Sequence, residues 1–80
     1  MRLTVLIRPK AGILDPQGEA VQTSLATLGF SVTRARVGRL NDLELEADDP
    51  ESARAEVERM CAELLANPLI ESFEVVMGDE

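Results

Sequence analysis

Few side chains in this 80-residue chain can take part in covalent chemistry. The sequence has no histidine, and Cys61 is its only cysteine. Cys61 lies among apolar residues at helical spacing, whereas a reactive thiol needs a neighbouring base or positive charge. We therefore expect Cys61 to pack as a small buried apolar residue and not to act as a nucleophile.

The acidic cluster Asp48, Asp49 and Glu51 could in principle hold a metal ion. These residues stand at the predicted start of a helix, where the helix dipole favours negative side chains without any metal. The histidines and paired cysteines of common transition-metal sites are also missing. We therefore expect no metal site.

The loop GILDPQG at residues 12–18 is the third candidate. It has two glycines but no GK[ST] ending, so it does not match a phosphate-binding loop. Asp15 suits the N-cap of a helix and Pro16 its first position. Anion binding beside Lys10 is the alternative, but Asp15 would occupy the same N–H groups. The loop predicts a helix start.

Composition excludes several classes of partner. A net charge of −7 argues against nucleic acid, and the absence of Tyr and Trp removes a platform for stacking bases. No segment has the apolar length of a membrane span or the layout of a signal peptide, so we expect a cytoplasmic protein. Residues 1–40 carry six basic and two acidic side chains, and residues 41–80 carry two basic and thirteen acidic. The two halves can neutralise each other within one sheet.

The hydrophobic pattern predicts a single domain over residues 1–80. Strands are expected at residues 2–9, 30–37, 43–47 and 70–77, with a turn at 38–42. Helices begin at Asp15-Pro16 and Asp49-Pro50, and they end at Gly29 and Asn67-Pro68. This β-α-β-β-α-β order predicts an α+β ferredoxin-like fold, an antiparallel sheet with both helices on one face.

Apolar residues mark the surfaces that these elements should bury. The first helix carries Val21, Leu25 and Leu28, and the second carries a longer stripe at helical spacing: Ala53, Val57, Met60, Cys61 and Leu64. Leu6 and Val76 fall on the open face of the sheet. Because a core this small is marginal, we expect a homodimer or a tetramer.

Several motifs together resemble one protein family. They are Lys10 with GILDPQG and Ala20-Val21, then Leu28-Gly29-Phe30, Met60-Cys61, and LLANPLIE at residues 64–71. In this order and at these separations they resemble the PurS subunits of phosphoribosylformylglycinamidine (FGAM) synthase, in register from residue 2 to about residue 76.

The resemblance implies a role in de novo purine biosynthesis. It implies a non-catalytic subunit that bridges a PurL-type synthetase and a PurQ-type glutaminase and helps ammonia pass between them. The complex would use ATP and Mg²⁺ to convert formylglycinamide ribonucleotide to the amidine, and this chain would bind no cofactor. The alternative is a free-standing ferredoxin-like module that binds a ligand or regulates another protein.

Candidate docking residues follow from the same resemblance and from the basic side chains of the first half. They are Lys10, Asp15, Gln17, Arg34, Arg36 and Asn67. The last strand, reached through Asn67-Pro68, is expected to cross or join between chains. No catalytic residue is expected.

Overall fold

The computed structural model describes residues 1–78, so the last two residues of the domain predicted over 1–80 lie outside the described part. Three strands, β1 (Arg2–Pro9), β2 (Arg39–Glu44) and β3 (Glu71–Met77), form one antiparallel sheet in the order β2-β1-β3. Two helices, α1 (Pro16–Thr27) and α2 (Pro50–Met60), separate them, and a π-helical turn at Cys61–Leu65 continues α2.

The core lies between the sheet and α2. Leu3, Val5 and Ile7 alternate along β1 and are fully buried, as their period of two predicts for a central strand with one covered face. Ala53, Val57 and Cys61 of the second helical segment pack on them, with Ala66 and Val75 completing the cluster. The α+β ferredoxin-like class is confirmed.

The π-helical turn changes which residues of the second helix face the core. Ala53, Val57 and Cys61 follow the predicted stripe, but the next buried residue is Ala66, whose N–H donates to the carbonyl of Cys61 at 3.0 Å. The wider turn inserts one residue into the helical period. The prediction that Leu64 belongs to the stripe is therefore wrong, because its side chain is 84% exposed.

Residues 30–37, which we name the return segment, form neither helix nor strand, and the backbone bends at Thr33. The predicted strand at 30–37 and the predicted turn at 38–42 are thus both wrong. Chain reversal at 38–42 does not occur, because Arg39 already pairs with Ile7 and β2 runs on from there. A strand-like sequence becomes a strand only where a neighbouring edge accepts its hydrogen bonds.

The first helix lies off the sheet. Asp15 caps α1 and Gly29, with φ of +99°, follows its end, as predicted. Within residues 1–78, however, neither the buried core nor the half-buried apolar shell around it includes a residue of α1 or of the return segment. The expected packing of α1 beside α2 is not observed, and Leu28 is 72% exposed. The molecule is correspondingly long, 50 × 29 × 14 Å.

The face of the sheet opposite α2 is open, as predicted. Leu6 stands opposite Leu40 of β2, and Val76 of β3 stands opposite Thr4. Leu40 and Val76 are exposed and Leu6 is half-buried.

Candidate functional site

The loop at residues 12–18 leads into α1 from the body of the molecule, by which we mean the sheet with α2 packed on it. Asp15 Oδ1 accepts the N–H of Gly18 at 3.0 Å, which is an N-cap bond, and Pro16 takes the first helical position. Gly18 is buried, and a Cβ there would collide with the carbonyl oxygen of Ala35. The motif DPQG thus starts the helix and also lets the return segment pass close to it.

The second carboxylate oxygen of Asp15 binds the end of the return segment. Asp15 Oδ2 accepts the N–H of Val37 at 2.9 Å and lies 3.8 Å from Arg36 Nε. The hydrogen bond from Val37 is the largest cause that lowers the pKa of the Asp15 carboxyl below its ordinary value, with the bond from Gly18 next. One carboxylate therefore joins two stretches of chain about twenty residues apart.

Arg36 ties the same junction to the end of β1. Its Nη2 donates to the carbonyl oxygens of Pro9 at 3.0 Å and Lys10 at 2.8 Å. Further out, Gln22 of α1 donates to the carbonyls of Val32 and Thr33. We call α1 with the return segment the arm, and the contacts made by Asp15 and Arg36 the arm root. The arm root fixes the arm to the end of β1, and the bonds of Gln22 hold α1 and the return segment together.

Lys10 and Asn67 lie in a second network at the neighbouring corner. Lys10 Nζ donates to the carbonyl of Pro68 at 2.7 Å, and its backbone N–H donates to the carbonyl of Ile70. The N–H of Asn67 donates to Glu71 at 2.7 Å, and Asn67 Oδ1 accepts the N–H of Leu69. These bonds fix the shape of the turn at residues 66–69, which we call the ANPL turn.

An ion pair that the sequence did not reveal completes this network. Arg39 donates to both oxygens of Glu71, at 2.6 and 3.0 Å, and to the carbonyl of Leu65 at 2.9 Å. The side-chain bond from Arg39 is the main cause that lowers the pKa of Glu71, and the same bond raises the pKa of Arg39. Thirty-two positions separate the two residues, so no local pattern could have predicted the pair.

Four of the six predicted docking residues therefore have internal partners: Lys10, Asp15, Arg36 and Asn67. Gln17 and Arg34 are exposed, and their side chains bond to no other group of residues 1–78. Arg34 lines an open groove of about 380 Å³ together with Leu14 and Glu19. Four of the six residues thus shape the chain through internal bonds, and the side chains of the other two are free to contact another molecule.

The groups available for catalysis are few in the described part of the chain. Cys61 is fully buried, and desolvation is the main cause that raises the pKa of its thiol, with Glu58 adding to it. Among residues 1–78, no three carboxylates or thiols come together as a metal site. No helix in that range has the length and apolar character to cross a bilayer.

Fold and site together define a small α+β protein in which the polar side chains of the site hydrogen-bond to distant parts of the same chain. The PurS family model, described as phosphoribosylformylglycinamidine (FGAM) synthase, matches residues 2–79. The chain belongs to the PurS family, the PurS subunits of FGAM synthase in purine biosynthesis.

Relatives support this over nearly the whole length. A PurS subunit of Methanocaldococcus jannaschii is 39% identical over 75 residues, covering 92% of this chain and 90% of the relative. One from Synechocystis is 42% identical over 73 residues, covering 90% and 71%.

Two solved structures show the same fold. The M. jannaschii PurS structure superposes with a TM-score of 0.86 at 38% identity, covering 99% of this chain and 98% of that one. A chain in the PurLQS structure from Thermotoga maritima gives a TM-score of 0.85 at 33% identity and 92% coverage of both chains.

Proposed function

We propose that this chain is the non-catalytic bridging subunit of its FGAM synthase. It holds a PurL-type synthetase subunit and a PurQ-type glutaminase subunit together, so that ammonia released from glutamine reaches the synthetase. The observation that carries this proposal is the match over 92% of both chains to a chain of the T. maritima PurLQS structure. ATP and Mg²⁺ act at the partner subunits, and the complex works in the cytoplasm.

The side chains of the arm root support a role in docking. Hydrogen bonds fix the root and the ANPL turn, and pre-ordered surfaces lose less conformational entropy on binding. Gln17 and Arg34 present free polar groups on this fixed frame. Lys10, Asp15, Arg36 and Asn67 would then influence docking through the shape that they maintain.

The arm also supports a homodimer, or a tetramer built from dimers. A helix of 12 residues is marginal in water without tertiary packing. Val21 of α1 and Leu28 at its C-cap are exposed, and the core of residues 1–78 covers neither of them. A second chain provides the packing that this helix requires.

Reconstitution tests the bridging role directly. The chain is mixed with PurL-type and PurQ-type subunits, and formation of the amidine is followed with glutamine or with ammonia as nitrogen donor. We expect the glutamine-dependent rate to require this chain and the ammonia-dependent rate to require it much less. Equal glutamine-dependent rates with and without the chain would refute the proposal.

Two glutamines of the arm provide a matched pair of variants. Gln17→Ala removes a free amide and should weaken assembly with the other subunits while leaving the circular dichroism and stability unchanged. Gln22→Ala removes the bonds to Val32 and Thr33 and should loosen the arm itself. If Gln17→Ala assembles as well as the wild type, Gln17 has no part in docking.

A further inference from the structure

Two leucines at the corner formed by the ANPL turn are almost fully exposed. Leu64 is 84% exposed and Leu69 is 82% exposed, the highest values among the large apolar side chains of residues 1–78. Leu64 lies just before the ANPL turn, and Leu69 is the last residue of that turn. Single apolar side chains are common on protein surfaces, whereas a group of them in one place marks a binding surface.

The π-helical turn is the reason why Leu64 faces solvent. In a regular helix Leu64 would share the buried stripe of Val57 and Cys61, from which it is seven and three residues away. The wider turn at Cys61–Leu65 brings Ala66 into the core instead. The chain thus buries a small side chain and leaves a large one in water, which is unfavourable for the isolated fold. Helical turns of this kind are frequent at functional sites.

The segment around the two leucines is held in one conformation. Arg39 Nη2 donates to the carbonyl of Leu65 at 2.9 Å and to Glu71 at 3.0 Å, so one guanidinium group joins the two ends of the segment. Within the segment, the N–H of Asn67 donates to Glu71 at 2.7 Å, and the carbonyl of Asn67 accepts the N–H of Glu71 at 2.7 Å. A loop that is fixed before binding loses less conformational entropy in a complex.

Asn67 keeps one polar group for another molecule. Its N–H, its carbonyl and its side-chain Oδ1 all bond within the segment. Its side-chain Nδ2, however, donates to no acceptor within residues 1–78, and the residue is exposed. A free amide donor beside apolar side chains requires a partner surface that is apolar and carries a hydrogen-bond acceptor.

We infer that Leu64, Leu69 and the side-chain amide of Asn67, which we name the ANPL knob, insert into an apolar pocket of a different subunit of the synthase. The rim of that pocket carries a carbonyl or carboxylate oxygen that accepts a hydrogen bond from Asn67 Nδ2. This inference rests on the bridging role proposed above and specifies one of its docking surfaces.

A second copy of this chain does not suit the knob. A two-fold contact would set knob against knob, and two leucine side chains supply only a small part of the roughly 800 Å² that each partner buries in a stable dimer. Two open grooves of residues 1–78, of about 380 and 290 Å³, are lined by arginines, Arg34 in the first and Arg8 and Arg39 in the second. Leucines inserted there would remove water from charged groups, which is unfavourable.

Replacing both leucines tests the knob in the full-length chain. Because both side chains are exposed, Leu64→Ser/Leu69→Ser should keep the wild-type circular dichroism, urea midpoint and sedimentation. Its affinity for the PurL-type and PurQ-type subunits, measured with each alone and with both, should fall at least about tenfold for the subunit that holds the pocket. The control is Leu40→Ser, the same change at an exposed leucine on the open face of the sheet, and it should bind like wild type.

Asn67→Asp separates the amide donor from the shape of the turn. A carboxylate oxygen at this position can still accept the N–H of Leu69, but the Nδ2 donor is lost. Amide exchange at residues 69–71 should therefore stay as in wild type, while binding to the same subunit should weaken. Wild-type affinity in this variant would overturn the acceptor at the rim of the pocket.

Three results would overturn the knob itself. Leu64→Ser/Leu69→Ser could bind as tightly as wild type, Leu40→Ser could weaken binding equally, or the double variant could lose self-association, which would assign a second copy as the occupant. Activity separates the knob from the bridging role. The double variant should restore the glutamine-dependent rate only at raised concentration, whereas a wild type that binds but restores no rate would refute the proposed function and leave the knob standing.

Discussion

Truncation of Val57 tests which apolar residues of the second helix are buried in the core. Both Val57 and Leu64 belong to the apolar stripe that the sequence predicts for the second helix. In the structure, Val57 is fully buried, whereas the π-helical turn leaves Leu64 84% exposed. Val57→Ala and Leu64→Ala should therefore differ strongly in their effect on stability.

The size of the difference follows from burial. Val57→Ala removes two carbon atoms from a closed core, which costs about 0.8 kcal/mol each by transfer, and the cavity adds to this. We expect a loss of roughly 2–3 kcal/mol in the free energy of unfolding, out of about 3–5 kcal/mol for a core of this size. Leu64→Ala should change it by less than about 0.5 kcal/mol, as at other surface positions.

Urea unfolding followed by far-UV circular dichroism is the appropriate assay, because the chain has no Trp or Tyr for fluorescence. All variants are compared at one protomer concentration, since dimerisation stabilises the folded state by mass action. The thermal midpoint of Val57→Ala should fall by roughly 10–20 °C.

The reasoning fails if Leu64→Ala destabilises as much as Val57→Ala. That result would mean that the regular helical stripe continues through residue 64 and that no π-helical turn shifts the frame. A loss below about 1 kcal/mol for Val57→Ala would contradict the assigned core itself.

Three further predictions concern the caps, the cysteine and pH. Asp15→Ala should accelerate amide exchange across α1 and the return segment more than Asp49→Ala does across α2. The reason is that the Asp15 side chain binds Val37 in addition to its helix cap, whereas the hydrogen bonds of the Asp49 side chain go to Ser52, within its own cap; equal effects would contradict the second role of Asp15. Cys61→Ala should cost about 1 kcal/mol and retain activity in the reconstituted complex, and an inactive but folded variant would contradict its packing role. Folding lowers the pKa values of the Asp15 and Glu71 carboxyl groups below their ordinary values of 3.8 and 4.5. The stability that the two ionised carboxylates give to the fold is therefore complete above the ordinary pKa values, and it is lost as the pH falls towards the folded-state pKa values. The urea midpoint should therefore drop as the pH is lowered below about 4.5, and less steeply in Glu71→Gln, whereas equal slopes would exclude Glu71 as a contributor.

Local chemistry determined a large part of this structure. The helix starts at Asp15-Pro16 and Asp49-Pro50 were predictable because their cap bonds reach only three residues along the chain. The alternation of β1 predicted that one of its faces is buried. Gly29 follows the end of α1 because glycine adopts a positive φ without strain. The family resemblance also rested on sequence alone, and it is confirmed by the match over residues 2–79.

The candidate site was predictable only as a set of positions. The sequence suggested Lys10, Asp15 and Arg36 as docking residues but, apart from the N-cap bond of Asp15, gave no sign of their bonds within the chain. The partners in these other bonds lie more than twenty residues away, beyond any spacing rule. Gln17 and Arg34 emerge as the free members only once these long-range bonds are known.

Tertiary structure decided where the strand-like and helical patterns find their partners. Residues 30–37 were predicted as a strand, yet a strand exists only beside an edge that accepts its hydrogen bonds. Asp15 instead ties the end of this segment to the start of α1. The stripe of α1 finds no core for the same reason, and the frame of the second helix shifts at the π-helical turn. Periodicity specifies which residues share a face, whereas packing between distant segments specifies what that face meets.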